Sequence, residues 1–128
     1  MRDLTILVVD DNHFFRKTVC EFVETLGQVK VVAEAFDGEQ AIELARKLHP
    51  DMVLMDINMP NKTGFEATRA IKDMYPDVFI VIITLHDGSF YRQLAKDCKA
   101  DDFIPKNEMK NKLSALIFQR KHNPHYDA

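Results

Sequence analysis

Leu4-Thr5-Ile6-Leu7-Val8-Val9-Asp10-Asp11 is an almost unbroken apolar run that stops on two carboxylates. A run apolar at successive positions, not at alternate ones, reads as a strand buried on both faces, the situation in a parallel sheet covered by helices. The pattern returns in Met52-Val53-Leu54-Met55-Asp56, in Phe79-Ile80-Val81-Ile82-Ile83-Thr84 and, more briefly, in Phe103-Ile104-Pro105-Lys106. Each run ends on polar chemistry: Asp10 and Asp11, Asp56, Thr84, Lys106. In parallel strands all these ends emerge along one edge, the carboxyl edge at which open α/β sheets bind ligands.

Amphipathic stretches fill the intervals. Phe15, Val19, Phe22 and Leu26 recur at helical spacing from Asn12, and Gly27 stops that helix. Residues 30–35 read as the second strand. Asp37 with Gln40 resembles a capping box opening a helix to about His49, and Thr63 with Glu66 opens another to about Met74. Residues 52–56 and 78–84 are the third and fourth strands. A helix from about Gly88 to Asp97, a short strand over 102–105 and a helix capped by Asn107 and reaching about Lys121 complete the order. Five βα units with right-handed connections give an α/β domain, a five-stranded parallel sheet with five helices on both faces. The fifth strand, opening on Asp101 and Asp102, suits a sheet edge. His122 to Ala128 reads as a frayed end or the stub of a linker.

The 128 residues are enough for one domain. With 46% apolar and 29% charged residues the composition is that of a soluble globular domain, and a net charge of −3 argues against a general nucleic-acid-binding surface. No apolar run approaches membrane-spanning length and no signal-peptide pattern follows Arg2 and Asp3, so the cytoplasm is the expected compartment. Cys20 and Cys98 form no metal or redox motif and read as reduced thiols partly inside helices.

Asp10 and Asp11 alone could simply cap the following helix, whose N-terminal dipole favours negative charge. Asp56 changes the weighing, because the end of a central third strand lies beside the first. Two carboxylates about 5 Å apart at an effective dielectric of about 20 repel by roughly 3 kcal/mol. Such a group retains a proton or binds a cation. Lys106 supplies one positive charge, and the remaining two negative charges match a divalent ion. Hard oxygen ligands with open sides suit Mg²⁺, which usually meets a phosphate. Thr84 adds a hydroxyl donor and Lys106 a point charge for a phosphoryl oxygen. A carboxylate in such company is a plausible nucleophile toward phosphorus. Asp56, followed by a turn-rich loop, has the room to attack; Asp10 and Asp11, followed at once by a helix, are better placed as metal ligands.

At these residues the chain resembles the receiver domain of two-component response regulators. The likeness covers about residues 3–121, with 122–128 as tail, and includes Asp10-Asp11, Asp56, Thr84 and Lys106, the loop Asp56-Ile57-Asn58-Met59-Pro60, and Gly64. It implies the flavodoxin-like strand order 2-1-3-4-5. It further implies that Asp56 accepts phosphate from a histidine kinase or histidine phosphotransfer protein, and that Asp11, Asp56 and the backbone carbonyl of Asn58 bind Mg²⁺ with Asp10 acting largely through water. Thr84 and Lys106 hold the phosphoryl group, Phe103 takes the place of the switch aromatic, and the surface of the fourth helix, fifth strand and fifth helix changes. That surface serves homodimers in the family. Phe103 is also readable as plain core. The stretches Thr84-Leu85-His86-Asp87 and Phe103-Ile104-Pro105-Lys106 look most like receivers that precede a C-terminal helix-turn-helix DNA-binding domain, which these residues do not include.

The chain departs from the family pattern in places. Asn107 stands where many members have Pro, so no cis peptide is implied. Lys99-Ala100 replaces a common Gly-Ala. Leu85 replaces a small residue and is expected to narrow access to Asp56. The resemblance implies that Asn58 and His86 hold positions that tune how water reaches the phosphoryl group; read from the residues alone, His86 is a solvent-exposed loop histidine. Phe15 lies on its helix's apolar stripe and Phe14 one position off it, exposed near the kinase-docking face. Lys110, Lys112, Arg120 and Lys121 read as a solvated face.

Three functions compete. A phosphorylation-controlled switch, acting only on itself and not as a turnover enzyme, uses every site residue. A phosphohydrolase with an aspartyl nucleophile wants a second carboxylate two residues on, where Asn58 cannot do acid work. A receiver-like scaffold that takes no phosphate has no need of all five site residues. Nucleotide binding fails for want of a glycine-rich loop after the first strand.

Overall fold

The computed structural model describes residues 2–86 and 88–122. Its elements run β1 (Leu4–Val9), α1 (His13–Glu24), β2 (Val29–Ala35), α2 (Gly38–Leu48), β3 (Met52–Met55), α3 (Gly64–Met74), β4 (Phe79–Thr84), α4 (Ser89–Asp97), β5 (Asp102–Pro105) and α5 (Met109–Lys121), with a 3₁₀ turn over Lys106–Glu108. All pairings are parallel and the order is β2-β1-β3-β4-β5, so β5 is an edge strand and β3 is central.

Side-chain alternation divides the strands between two cores. Leu4, Ile6, Val8, Met52, Leu54, Val81, Ile83 and Ile104 meet Val19 and Val23 of α1 and Leu113 and Ile117 of α5. Leu7, Val9, Val53, Met55, Ile80, Ile82 and Phe103 meet α2, α3 and α4 through Ala41, Ala45, Ala67, Ile71 and Ala95. Small alanines on that second face let three helices sit close to the sheet. Both thiols are buried and unpaired, Cys20 within α1 and Cys98 at the end of α4.

Helix starts follow the capping residues with two differences. At α3 the box is complete: Thr63 Oγ1 accepts from the Glu66 N–H, and the Glu66 carboxylate accepts from the Thr63 N–H. At α2 Asp37 caps the Gln40 N–H, but the Gln40 side chain returns to the Phe36 N–H, one residue before the cap. Asn107 does not cap α5. It lies inside the 3₁₀ turn, where the Met109 N–H already bonds the Lys106 carbonyl, so the helix opens without a side-chain cap.

The cations of α5 also differ from the expected solvated face. Lys110 and Lys112 are exposed. Lys121 is buried and donates to the carbonyls of Gly27 (2.8 Å) and Leu26 (3.4 Å), just past the end of α1. Its stem is covered while its ammonium caps carbonyls that lie beyond the helix's own donors. Arg120 lies over the Phe79 ring at 4.5 Å. Lys99 adopts φ 73°, the left-handed conformation for which glycine is the usual choice. No peptide bond among the described residues is cis. Of the tail, only His122 is described, exposed beside Phe118; residues 123–128 lie outside the described residues.

Candidate functional site

The register aligns the strand ends. Val9 pairs with Met55 and Met55 with Ile82, so Asp10 and Asp56 leave adjacent strands at one level. The Asp56 N–H bonds the Val9 carbonyl (2.9 Å) and the Asp10 N–H bonds that of Ala35 (3.0 Å), which fixes the backbone beneath both carboxylates. Thr84 is level with Pro105, and Lys106 follows at once. Carboxylate oxygens of Asp10, Asp11 and Asp56 lie within 4.8 Å of one another. Asp10 and Asp56 are buried and Asp11 is exposed.

The three acids differ in what holds them. Asp10 spends both oxygens within the protein: Oδ1 accepts from the Asn12 N–H (2.8 Å) and Oδ2 meets Lys106 Nζ (2.9 Å). Asp56 Oδ1 is 3.7 Å from the same ammonium. Asp11 stands open to solvent. Burial, and next the charge of Asp10, push the Asp56 carboxyl up to about 6, with Lys106 and the Ile57 amide opposing. One ammonium against three carboxylates leaves the site short of positive charge, and an all-oxygen donor set with one exposed member fits a hard divalent cation that keeps waters of its own.

Close packing locks this corner. A Cβ on Gly64 would overlap the Asp56 carbonyl oxygen, and the Gly64 N–H bonds the Ile57 carbonyl at 2.7 Å. Only glycine lets the start of α3 come this near the Asp56 backbone. Lys106 is held by the Phe15 ring, 4.3 Å from its ammonium, so Phe15 is more than core: its π face lies against the cation that meets Asp10 and Asp56. Arg16, which sequence reading passed over, donates to the Asp10 carbonyl (2.7 Å) and pairs with Glu34 (2.9 Å), tying α1 to the ends of β1 and β2. An arginine one turn into a helix carries no sequence signal for such a role.

Thr84 is buried, and its Oγ1 accepts from the His86 N–H (3.0 Å). Accepting leaves the hydroxyl proton for another oxygen. His86 is not a free loop histidine: its Nε2 meets Asn58 Nδ2 at 2.6 Å, and its ring stacks on Tyr91 with centroids 4.8 Å apart. Phe103 is buried in the second core with the Arg92 guanidinium 4.7 Å above its ring. Phe14 is 84% exposed, as its place off the apolar stripe requires. Leu85 is 77% exposed, so its side chain stands largely in solvent. Its neighbour Thr84 turns into the core, and the chain's alternation sends Leu85 outward.

Residues 6–118 match the model of the response regulator receiver domain. The transcriptional regulatory protein DegU of Brevibacillus brevis is 42% identical over 69% of this chain and 37% of its own length. A protein-glutamate methylesterase/protein-glutamine glutaminase of Pyrococcus horikoshii is 39% identical over 91% of this chain and 34% of its own. The chain thus spans little more than a third of these relatives. Among solved structures, the signal receiver domain of NarL from Mycobacterium tuberculosis superposes with a TM-score of 0.88 at 27% identity, covering 96% of this chain and all of that one. The response regulator domain of Thermotoga maritima CheB gives 0.81 at 30% identity, covering 93% of each. Strand order, acidic pocket and sequence agree, and the chain belongs to the response regulator receiver domain family.

Proposed function

We propose that Asp56 is the phospho-acceptor of a two-component switch. The observation that carries this reading is the convergence of three carboxylates and Lys106 on one sheet edge, with Asp56 at the end of the central strand and its two-residue neighbour Asn58 unable to act as an acid. An Asp56 oxygen attacks phosphorus, the bond from phosphorus to the donor's imidazole nitrogen breaks, and that nitrogen takes a proton from solvent. Lys106, already between Asp10 and Asp56, pairs with a phosphoryl oxygen, and the Thr84 hydroxyl donates to another. Asp11, Asp56 and the Asn58 backbone carbonyl would hold Mg²⁺, with Asp10 set behind them by its two internal bonds. Bound there, the ion neutralises charge on the phosphoryl oxygens.

Residues 1–121 form the receiver in this reading and 122–128 a C-terminal tail or linker stub. The donor is a histidine kinase or histidine phosphotransfer protein, with Phe14 in its docking face. Phe103 and the surface of α4, β5 and α5 carry the response, to a homodimer partner or an output domain. The chain turns over no separate substrate and works in the cytoplasm; among the described residues no helix is long and apolar enough to cross a membrane.

The chain has no Trp, so amide NMR is the suitable probe. Titration with Mg²⁺ and beryllofluoride, an aspartyl phosphate mimic, is expected to shift resonances around Asp56 and on to Thr84, Phe103 and α5, and to leave Asp56→Asn unmoved. Mg²⁺ binding without a beryllofluoride response in the wild type would overturn the phospho-acceptor assignment.

A further inference from the structure

The Lys106 ammonium has three neighbours of different kinds. Asp10 Oδ2 lies at 2.9 Å, Asp56 Oδ1 at 3.7 Å, and the centroid of the Phe15 ring at 4.3 Å. The Lys106 side chain is only 10% exposed. A lysine ammonium is a compact, strongly hydrated charge on a flexible stem, and here little water reaches it. The ring takes part of the place that water would hold, and its negative face compensates the lost hydration. An aliphatic side chain at position 15 would fill the core equally well but would offer the charge nothing.

Phe15 is fixed independently of the lysine. It lies in the first turn of α1, where its N–H donates to the capping Asn12 Oδ1 at 2.9 Å. The side chain is half-buried and packs against the first core. With Val8, Val19, Leu54 and Ile83 it lines the apolar hollow that reaches Asp10 and Asp56. Lys106, by contrast, belongs to the 3₁₀ turn after β5. The contact therefore holds a long, rotatable side chain against a ring seated on another element.

From this geometry we propose that Phe15 is a positioning residue for phosphoryl capture: its π face keeps the Lys106 ammonium where it meets an oxygen of the phosphoryl group on Asp56. The proposal rests on the reading of Asp56 as phospho-acceptor. When the phosphoryl group arrives, the ammonium keeps Asp10 and exchanges its distant Asp56 neighbour for a phosphoryl oxygen. Attraction to a ring face varies slowly with position and extends to about 6 Å, so this shift does not break the contact. A further carboxylate in the same place would hold the ammonium back and add negative charge beside the incoming anion.

The test uses the whole chain and the dissociation constant of beryllofluoride at saturating Mg²⁺, read by amide NMR. Phe15→Leu is expected to weaken binding about three- to thirtyfold, the range a partly to fully desolvated cation–π contact commands. Phe15→Tyr keeps the π face and is expected to restore binding to within about twofold of wild type. Replacing Phe15 by 4-fluoro- and then by 3,4,5-trifluorophenylalanine drains the ring face with little change of shape, so affinity is expected to fall stepwise in chains that pack normally. In Lys106→Met, which has no ammonium, adding Phe15→Leu is expected to cost less than about twofold. Unchanged affinity in Phe15→Leu, no trend across the fluorinated rings, or a full Phe15→Leu loss in the K106M background would each overturn the proposal while leaving Asp56 as acceptor. If the wild type binds no beryllofluoride, the acceptor reading fails and the capture claim with it. The contact is then judged on Lys106 itself: ε-methylene proton shifts that are the same in wild type and Phe15→Leu, with no upfield ring-current displacement, would overturn that part too.

Discussion

Asp56 carries a conflict that solution measurements can read. Burial and Asp10 raise its carboxyl from 3.8 to about 6, so the folded chain holds this proton more tightly than the unfolded chain does. Its contribution to stability is complete below about 3.8 and is lost as the pH rises through about 6. In cation-free buffer Asp56→Asn is therefore expected to be more stable than wild type at pH 7.5, by about 2 kcal/mol at most after allowance for residual solvation, and equal to it near pH 4. Urea titrations at the two pH values check this, and a gain that persists undiminished at pH 4 would refute it. In the cation-free chain the same value leaves the Asp56 carboxylate mostly ionised at neutral pH. Leu85 offers a contrast. With 77% of its surface in solvent, Leu85→Ala is expected to change labelling by acetyl phosphate less than about twofold. A marked acceleration would show that the side chain does guard the site.

At the scale of elements, two joints stand out. The turn between α4 and β5 forces Lys99 to φ 73°, a conformation costing a side chain about 1 kcal/mol or more, and Lys99 is exposed with little to lose. Lys99→Gly is expected to raise stability by about 0.5–1 kcal/mol, read as a higher denaturation midpoint at constant slope. The other joint is Lys121, whose ammonium serves the carbonyls after α1. Lys121→Met keeps the buried stem and removes the donor, so about 1–2 kcal/mol is expected to be lost in thermal unfolding. An unaltered midpoint would mean that water satisfies those carbonyls equally well. Through this lysine the last turn of α5 is fastened to the α1–β2 loop, on the opposite side of the sheet's length from Asp56.

The molecule as a whole is a three-layer arrangement, one sheet between two layers of helices, whose carboxyl edge concentrates uncompensated negative charge. Binding of a cation by the folded state alone raises its stability by RT ln(1 + [L]/Kd), about 1.4 kcal/mol at tenfold the dissociation constant. Mg²⁺ is accordingly expected to raise the wild-type melting temperature, and to do so much less in Asp11→Asn, which loses the exposed ligand, while Asp56→Asn gains stability without it. Equal Mg²⁺ stabilisation of wild type and Asp11→Asn would remove Asp11 from the ligand set.

The sequence by itself determined the sheet, the helices and the identity of the acidic edge, because those depend on local rules. Unbroken apolar runs such as Leu4–Val9 and Phe79–Thr84 are strands buried on both faces, and parallel strands of matched ends bring Asp10, Asp56, Thr84 and Lys106 together without further information. Thr63 with Glu66 is likewise a matter of four residues. Only the tertiary structure decided how those groups are used. That Asp10 commits both oxygens while Asp11 keeps its own free, that Phe15 lies against Lys106, that Lys121 turns inward, and that His86 is clasped between Asn58 and Tyr91 depend on distances between segments far apart in the chain. Asn107 marks the boundary. Its residue type favours a helix cap, yet the 3₁₀ turn set by the end of β5 satisfies the same amide first, and a local preference worth about 1 kcal/mol yields to the path of the backbone.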